Sequence, residues 1–377
     1  MIYLDNAATG GFKPSAVLDV AKNVLKFLSA NPGRSGHRLS VTGAELVYRS
    51  RVSVAKAFNC PPERVIFTKN CTEALNTAIF GLLKKGDHVI TTVYEHNSVL
   101  RPLFYLKKQG VISLDIVSCG QDDDLVLEIA KKITPDTKLI AVTSASNVTG
   151  EVMPIQRIGR LAKDNDVTFL VDGAQGAGHV KIDMKKNNVS ILALACHKGL
   201  YGIMGSGVLA FDENTEIKPL TFGGTGIDTF NPNQPDDYPE RLESGTLNLP
   251  AISAISEGVE YAMKNLTNFA YHLENATAKL INLLLSIDGV KVYSSPNPTG
   301  IVSFSLENAD SIEVSQILND KYDIAVRGGF HCAPLIHKHL KTDQAGLVRV
   351  SLAVQNTTGE LNYFIKAIKE IVQLKSF

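Results

Sequence analysis

The sequence predicts an α/β protein, with a large domain on a mostly parallel, doubly wound sheet and a smaller α/β unit after it. Two patterns carry this. Between residues 65 and 171, short β-branched runs alternate with longer runs of helical period, as strands joined by crossover helices do. Beyond residue 211 the alternation fades into a stretch rich in Gly, Pro, Asn and Asp, 222–250, after which shorter elements resume. A structureless stretch of that length inside a compact protein is usually functional or disordered.

Taken in order, residues 65–68 read as a strand and 73–85 as an amphipathic helix stopped by Gly86. A strand at 88–92 and a helix at 97–109 follow, then a strand at 112–117 and a helix at 125–133. A strand at 138–143, a helix at 155–163 and a strand at 168–171 continue the series. Residues 251–287 read as helical with a break near Asn265. The remainder reads as strands at 290–293 and 301–306, a helix at 312–322, strands at 324–327 and 347–352, and a helix at 361–374. In open parallel sheets, ligands bind beyond the carboxyl ends of the strands. Residues just after each strand are therefore the first to search for chemistry.

Composition narrows the function. The 377 residues carry 38 Lys plus Arg against 38 Asp plus Glu, and this balance argues against a general nucleic-acid binder. At 44% hydrophobic and 20% charged the chain is globular rather than disordered, and its length suits two or three units of roughly 150 residues. No apolar run approaches the roughly 20 residues of a membrane helix, and Met1 to Asn6 lack a basic leader, so no signal peptide is expected. The five cysteines (Cys60, Cys71, Cys119, Cys196, Cys332) form no C-x-x-C pair. Their odd number and wide spacing argue against a disulfide scaffold or a zinc site, and for reduced thiols in the cytoplasm. One of them is free to be chemical.

The strand at 168–171 runs into Asp172-Gly173-Ala174-Gln175. A lone Asp there is ordinarily an Asx turn or a cap. The apolar run 191–195 then ends in Cys196-His197-Lys198-Gly199. Burying an unpaired ammonium is costly and lowers its pKa, as a Schiff-base lysine requires. Asp172 and Lys198 together match a pyridoxal-phosphate site, where the Lys bonds to the aldehyde and the Asp keeps the ring nitrogen protonated. For the phosphate, Lys69-Asn70-Cys71-Thr72-Glu73 lies between a strand and a helix, offering free N–H groups and a positive dipole end. Alone, Thr72 serves equally as a cap. His96 sits at another strand–helix junction, where a structural histidine is the plainer alternative to one lying flat on a ring.

These residues are joined by others into a series of motifs: Tyr3-Leu4-Asp5-Asn6-Ala7-Ala8-Thr9, Tyr94-Glu95-His96-Asn97-Ser98, Ser146-Asn147-Val148-Thr149-Gly150, Val171-Asp172-Gly173-Ala174-Gln175, His197-Lys198-Gly199, Arg327-Gly328-Gly329-Phe330-His331-Cys332-Ala333-Pro334, and Arg349-Val350-Ser351-Leu352. In this order they resemble the cysteine desulfurases and selenocysteine lyases, the class V aminotransferase branch of fold-type I pyridoxal 5'-phosphate enzymes. The resemblance runs from residue 3 to 352. It implies a large cofactor-binding domain, 15–261, and a small domain, 262–377 with 1–14, that carries the cysteine loop.

The resemblance also implies roles. Lys198 would hold the cofactor, with His197 beside it on the phosphate; Asp172 would pair with the ring nitrogen and Gln175 donate to the phenolic oxygen. His96 would stack on the ring and move protons. Cys71 and Thr72 align with a phosphate-binding pair of threonines, and Thr246 with a residue reaching the phosphate of the neighbouring subunit in a homodimer with shared sites. Asn147 and Arg349 would grip the substrate carboxylate, Arg327 would line the pocket, and Cys332 would be the nucleophile. His331, Arg327 or the bound cofactor would lower its pKa.

The implied reaction converts L-cysteine to L-alanine and leaves a persulfide on Cys332. The compact loop before Cys332 resembles the short-loop group, whose members pass sulfur to a dedicated acceptor protein. Three positions depart from the common pattern: Cys71 for Thr, Ala195 for Ser and Phe330 for His. The alternatives are lysis of L-selenocysteine, plain transamination, which leaves Cys332 without a task, and a cofactor-binding scaffold. Cys60 and Cys119 read as inert thiols.

Overall fold

The computed structural model describes residues 1–118 and 124–375. It opens with a two-residue strand, β1 (Ile2–Tyr3), and helices α1 (Ser15–Phe27) and α2 (Arg38–Phe58). The alternating region follows: β2 (Val65–Thr68), α3 (Cys71–Leu82), β3 (His88–Thr92), α4 (Asn97–Lys108), β4 (Ser113–Val117), α5 (Leu125–Ala130) and β5 (Thr137–Thr143). It ends with α6 (Ile155–Asp164), β6 (Thr168–Asp172), β7 (Ile191–Ala195) and β8 (Gly207–Phe211). After the long loop come α7 (Leu249–Leu285), β9 (Val290–Val292), β10 (Ile301–Leu306), α8 (Ser311–Tyr322), β11 (Ile324–Ala325), α9 (Pro334–His339), β12 (Val348–Ser351) and α10 (Thr358–Lys375).

The alternating strands form one seven-stranded sheet in the order β2-β8-β7-β6-β5-β3-β4. All run parallel except β8, which lies antiparallel between β2 and β7. The sheet is mostly parallel and wound on both faces, as the sequence predicts. Its central strands are buried on both sides, β7 (Ile-Leu-Ala-Leu-Ala) and β8 along their whole length, and so read as continuous apolar runs. That is why 207–211, without polar alternation, carries no strand signal of its own. Gly207 opens β8 under the amino end of α3, where a Cβ would come within 2.4 Å of Asn70. Only glycine lets the two backbones sit this close, and the approach seats the start of α3 at the edge of the cleft.

The smaller unit has a three-stranded antiparallel sheet, β12-β10-β9. β1 pairs with β11, which ties the amino terminus to this unit, and Leu4 is buried in the same core as Leu273, Leu280, Phe304 and Phe364. The expected break near Asn265 does not occur: α7 runs unbroken for 37 residues. The Asn265 amide donates back to the Tyr261 carbonyl at 2.8 Å, satisfying itself within the helix instead of competing with it. Residues such as Ile255 and Val259 pack on the large sheet's core, and Leu273 to Leu284 on the small one. We propose that the domains divide within this helix, 15–261 from 262–377 with 1–14. No helix among the described residues is long and apolar enough to cross a membrane.

The irregular stretch 222–250 is anchored by one buried charge pair. Arg51 of α2 forks onto Glu243, Nη1 to Oε1 at 3.0 Å and Nη2 to Oε2 at 2.9 Å, with side chains 7% and 6% exposed. Glu243 also accepts the Phe67 N–H at 2.7 Å, so the carboxylate is fully used. Removing one partner of such a pair leaves an uncompensated buried charge. Arg51→Met is expected to cost about 3–5 kcal/mol in urea unfolding, and the double change with Glu243→Leu to recover most of it. A loss below about 1 kcal/mol for Arg51→Met would contradict this anchoring.

Candidate active site

The residues that follow β2, β3, β5, β6 and β7 meet at the carboxyl edge of the sheet, and the β11–β12 region closes over them. Asp172, the last residue of β6, is buried. Its Oδ1 accepts the Ala174 N–H at 2.9 Å and the Cys71 thiol at 3.5 Å. Lys198 follows β7. Burial lowers its pKa, Asp172 and Cys71 oppose that shift, and Arg349 and Arg327 add to it. A buried amine among these partners loses its proton more readily than an exposed lysine.

Asn70 caps α3, its side chain accepting the Glu73 N–H at 2.9 Å. The amides of Cys71 and Thr72, at the first two helical positions, have no acceptor within the helix. Thr72 Oγ1 lies 2.8 Å from Ser98 Oγ, which lies 2.8 Å from His96 Nδ1. His96 caps α4 by accepting the Ser98 N–H at 3.1 Å on that same Nδ1, so the neutral ring carries its proton on Nε2. Burial, with Lys198, Arg327 and Arg349 nearby, pulls the His96 pKa down to about 4 against the opposing pull of Asp172.

Gln175 donates to the Ala7 carbonyl at 3.0 Å. His197 Nδ1 lies 3.1 Å from Thr9 Oγ1, and burial, Lys198 and Lys13 pull the His197 pKa to about 4. The amino-terminal motif thus packs directly on the β6 and β7 ends. Lys13 joins it, its amine on the His197 carbonyl at 2.9 Å and its pKa lowered to about 8 by burial.

Arg327, just past β11, and Arg349 of β12 face each other across an isolated antiparallel bridge. Arg349, 1% exposed, donates to Asp5 Oδ1 at 2.8 Å and to the Asn147 carbonyl at 3.0 Å. Its Nε finds no acceptor among the described residues. A buried N–H left unpaired is costly, and a substrate carboxylate is the acceptor that would relieve it. The Asn147 amide donates to the His331 carbonyl at 2.7 Å, which leaves its second N–H for another acceptor.

That bond and one from the Asn97 N–H to the Cys332 carbonyl, 2.7 Å, hold the cysteine loop from both sides. His331 and Cys332 both take positive φ, +49° and +57°, a conformation unfavourable to side-chain-bearing residues. The thiol is exposed and faces a cavity of about 710 Å³ lined also by Thr72, His96, Ser98 and Arg101. Arg327 Nη2 approaches Cys332 Sγ at 3.6 Å. His331 supplies no charge there. Its Nε2 faces the Leu347 carbonyl at 3.1 Å, and burial with Arg349, His337 and Arg327 pulls its pKa to about 2. Of the two protein groups expected to activate the thiol, the cation beside it is Arg327.

Thr246 lies apart from this cluster. It is exposed and lines a separate cavity of about 400 Å³ with Lys69 and Glu73. Cys60 and Cys196 have their pKa values pushed up to about 12, mainly by burial. Cys119 lies outside the described residues. Ser98, Lys13 and Asp5 are not marked by the sequence as separate site residues. Ser98 and Asp5 sit within the motifs above, but the contacts that give them importance span 26 and 344 positions.

The buried imidazoles give the fold a pH dependence. His96, His179 and His197 are held near 4 and His331 near 2, below the usual 6.5 of an unfolded chain. Their stabilising contribution is present above that value and is lost as pH falls below it. Buried Glu95, raised to about 8, works the other way, losing stability as pH rises from about 4.5. Four groups opposed by one make the fold less stable at pH 5 than at pH 7. Urea midpoints at pH 7 and pH 5 check this; equal midpoints contradict it.

A family model described as aminotransferase class-V matches residues 2–364. The chain is 32% identical over 381 residues to a "probable cysteine desulfurase" of Methanothermobacter thermautotrophicus, covering 98% of this chain and 94% of that protein. It is 33% identical over 389 residues to one so described from Pyrococcus abyssi, covering 99% and 94%. Among solved structures, the apo cysteine desulfurase from Thermococcus onnurineus NA1 superposes with a TM-score of 0.91 at 31% identity, covering 99% of this chain and 94% of that one.

Proposed function

The chain belongs to the aminotransferase class-V family, and we propose that within it this protein is a pyridoxal 5'-phosphate-dependent cysteine desulfurase. It converts L-cysteine to L-alanine and retains the sulfur as a persulfide on Cys332. The observation that carries this reading is the exposed Cys332 thiol, with Arg327 beside its sulfur, on a loop pinned to the β3 and β5 ends next to the Lys198–Asp172 pair.

The residues fit the cofactor. Lys198 offers a buried amine of lowered pKa. Asp172 offers a buried carboxylate for the ring nitrogen, His96 an imidazole for the ring face, and Gln175 an amide for the phenolic oxygen. The free amides of α3, the Thr72 hydroxyl and His197 suit the phosphate. When bound, the cofactor supplies an electron sink conjugated with the substrate amine.

The chain's own groups do the rest. Arg349, already oriented by Asp5, takes the substrate carboxylate on its free Nε–H. Lys198, as a free amine, would take the α-proton on its Nζ. His96 is a poor competitor as base, because its Nδ1 is occupied and its pKa is near 4. Cys332 attacks the substrate sulfur with Arg327 facing the negative charge on its own. The new S–S bond forms as the substrate C–S bond breaks, and the carbon fragment takes the electron pair. After protonation it leaves as alanine. L-cysteine and one thiol become alanine and one persulfide, without external oxidant or reductant.

Exposed Thr246 is suited to serve the site of a second copy, which supports a homodimer with shared sites. An exposed persulfide suits transfer to an acceptor protein. Free thiols at Cys60, Cys71, Cys196 and Cys332 suit the cytoplasm. The test is to supply pyridoxal 5'-phosphate with L-cysteine or L-selenocysteine and measure products. A visible absorbance band and alanine from L-cysteine support the reading. Keto acid in place of alanine indicates transamination, and turnover confined to L-selenocysteine indicates a lyase.

A further inference from the structure

The family resemblance places Cys71 where a phosphate-binding threonine is expected, yet its side chain points elsewhere. The buried sulfur donates to Asp172 Oδ1 at 3.5 Å, the oxygen that also accepts the Ala174 N–H at 2.9 Å. Asp172 Oδ2 receives no hydrogen bond from the described residues. One oxygen is therefore held from two directions, from α3 and from the turn after β6, while the other is left open. We propose that Cys71 is a positioning residue: it fixes the rotation of the Asp172 carboxylate and presents Oδ2 to the cofactor ring nitrogen.

Three physical points support this. Burial and the Asp172 charge raise the Cys71 pKa well above the ordinary thiol value, with Lys198 opposing less strongly. The sulfur therefore keeps its proton and remains a donor. A thiol donates more weakly than a hydroxyl, so it orients the carboxylate while leaving more of its negative charge for the ring N–H. The phosphate loses nothing by this, since the amides of Cys71 and Thr72 and the Thr72 hydroxyl stay at the α3 terminus.

The inference rests on the cofactor reading of the site, and the test separates the two. The full chain, freed of cofactor, is titrated with pyridoxal 5'-phosphate and with unphosphorylated pyridoxal. Visible absorbance is followed, with the downfield NMR proton on the ring nitrogen, for the parent, Cys71→Ala and Cys71→Ser. Cys71→Ala is expected to weaken both ligands alike, by about three- to tenfold, and to displace the ring N–H resonance. Cys71→Ser, which keeps a donor, restores both. An unmoved resonance in Cys71→Ala, a loss confined to the phosphorylated ligand, or a serine variant that behaves as the alanine one overturns the proposal. A parent without a visible band overturns the enzyme reading, and this inference with it.

Discussion

Lys198→Ala lowers alanine formation from L-cysteine by at least about 10³-fold, with loss of the visible cofactor band. The size of the effect follows from the absence of a substitute. His96 and His197 have their pKa values pulled to about 4, too weak to compete for an α-proton at neutral pH. Glu95 is held protonated up to about 8 by burial. Lys13 is lowered to about 8, but its amine is turned to the His197 carbonyl. Among the described residues, Lys198 is the amine whose pKa is lowered by burial next to Asp172. Lys198→Arg keeps the charge but not a neutral amine, and is expected to be equally inactive. Retention of more than about a tenth of the parent rate in Lys198→Ala would show that another group takes the proton.

Cys332→Ser separates binding from sulfur transfer. It is expected to keep the cofactor band and the spectral response to L-cysteine, while alanine release falls at least about 100-fold. No other described thiol can replace it. Cys71 is buried on Asp172 with its pKa raised, and Cys196 is fully buried with its pKa near 12. Cys60 lines a different cavity, with Lys163 and Asp212. The serine hydroxyl leaves the loop its two backbone anchors, the Asn97 N–H and the Asn147 amide, so loss of activity reports the sulfur and not the loop. An active serine variant would move the sulfur chemistry away from this residue.

The features legible in the sequence are those governed by local pattern. Strand–helix alternation marks the parallel sheet, and a polar residue closing an apolar run marks Asp172 and Lys198. What stays hidden depends on burial and on hydrogen bonds that periodicity does not show. β8 gives no pattern because both its faces are buried. Asn265 reads as a break, but its amide satisfies itself one turn back within α7. The Asn147 amide also anchors the cysteine loop, donating to the His331 carbonyl 184 positions away, a contact no local pattern shows. His331, next to the nucleophile, reads as an activating group, but burial pulls its pKa to about 2 and leaves it neutral. Desolvation decides these roles, and desolvation belongs to the tertiary structure.

Sulfur on Cys332 is the decisive observable. The holoenzyme is given L-cysteine in the absence of reductant, then digested, and the Cys332 peptide is weighed while released alanine is counted. The expected result is a gain of one sulfur on Cys332 with one alanine per modified thiol in the first turnover. Alanine formed with Cys332 unmodified, or the added sulfur found on another cysteine, would contradict the assignment.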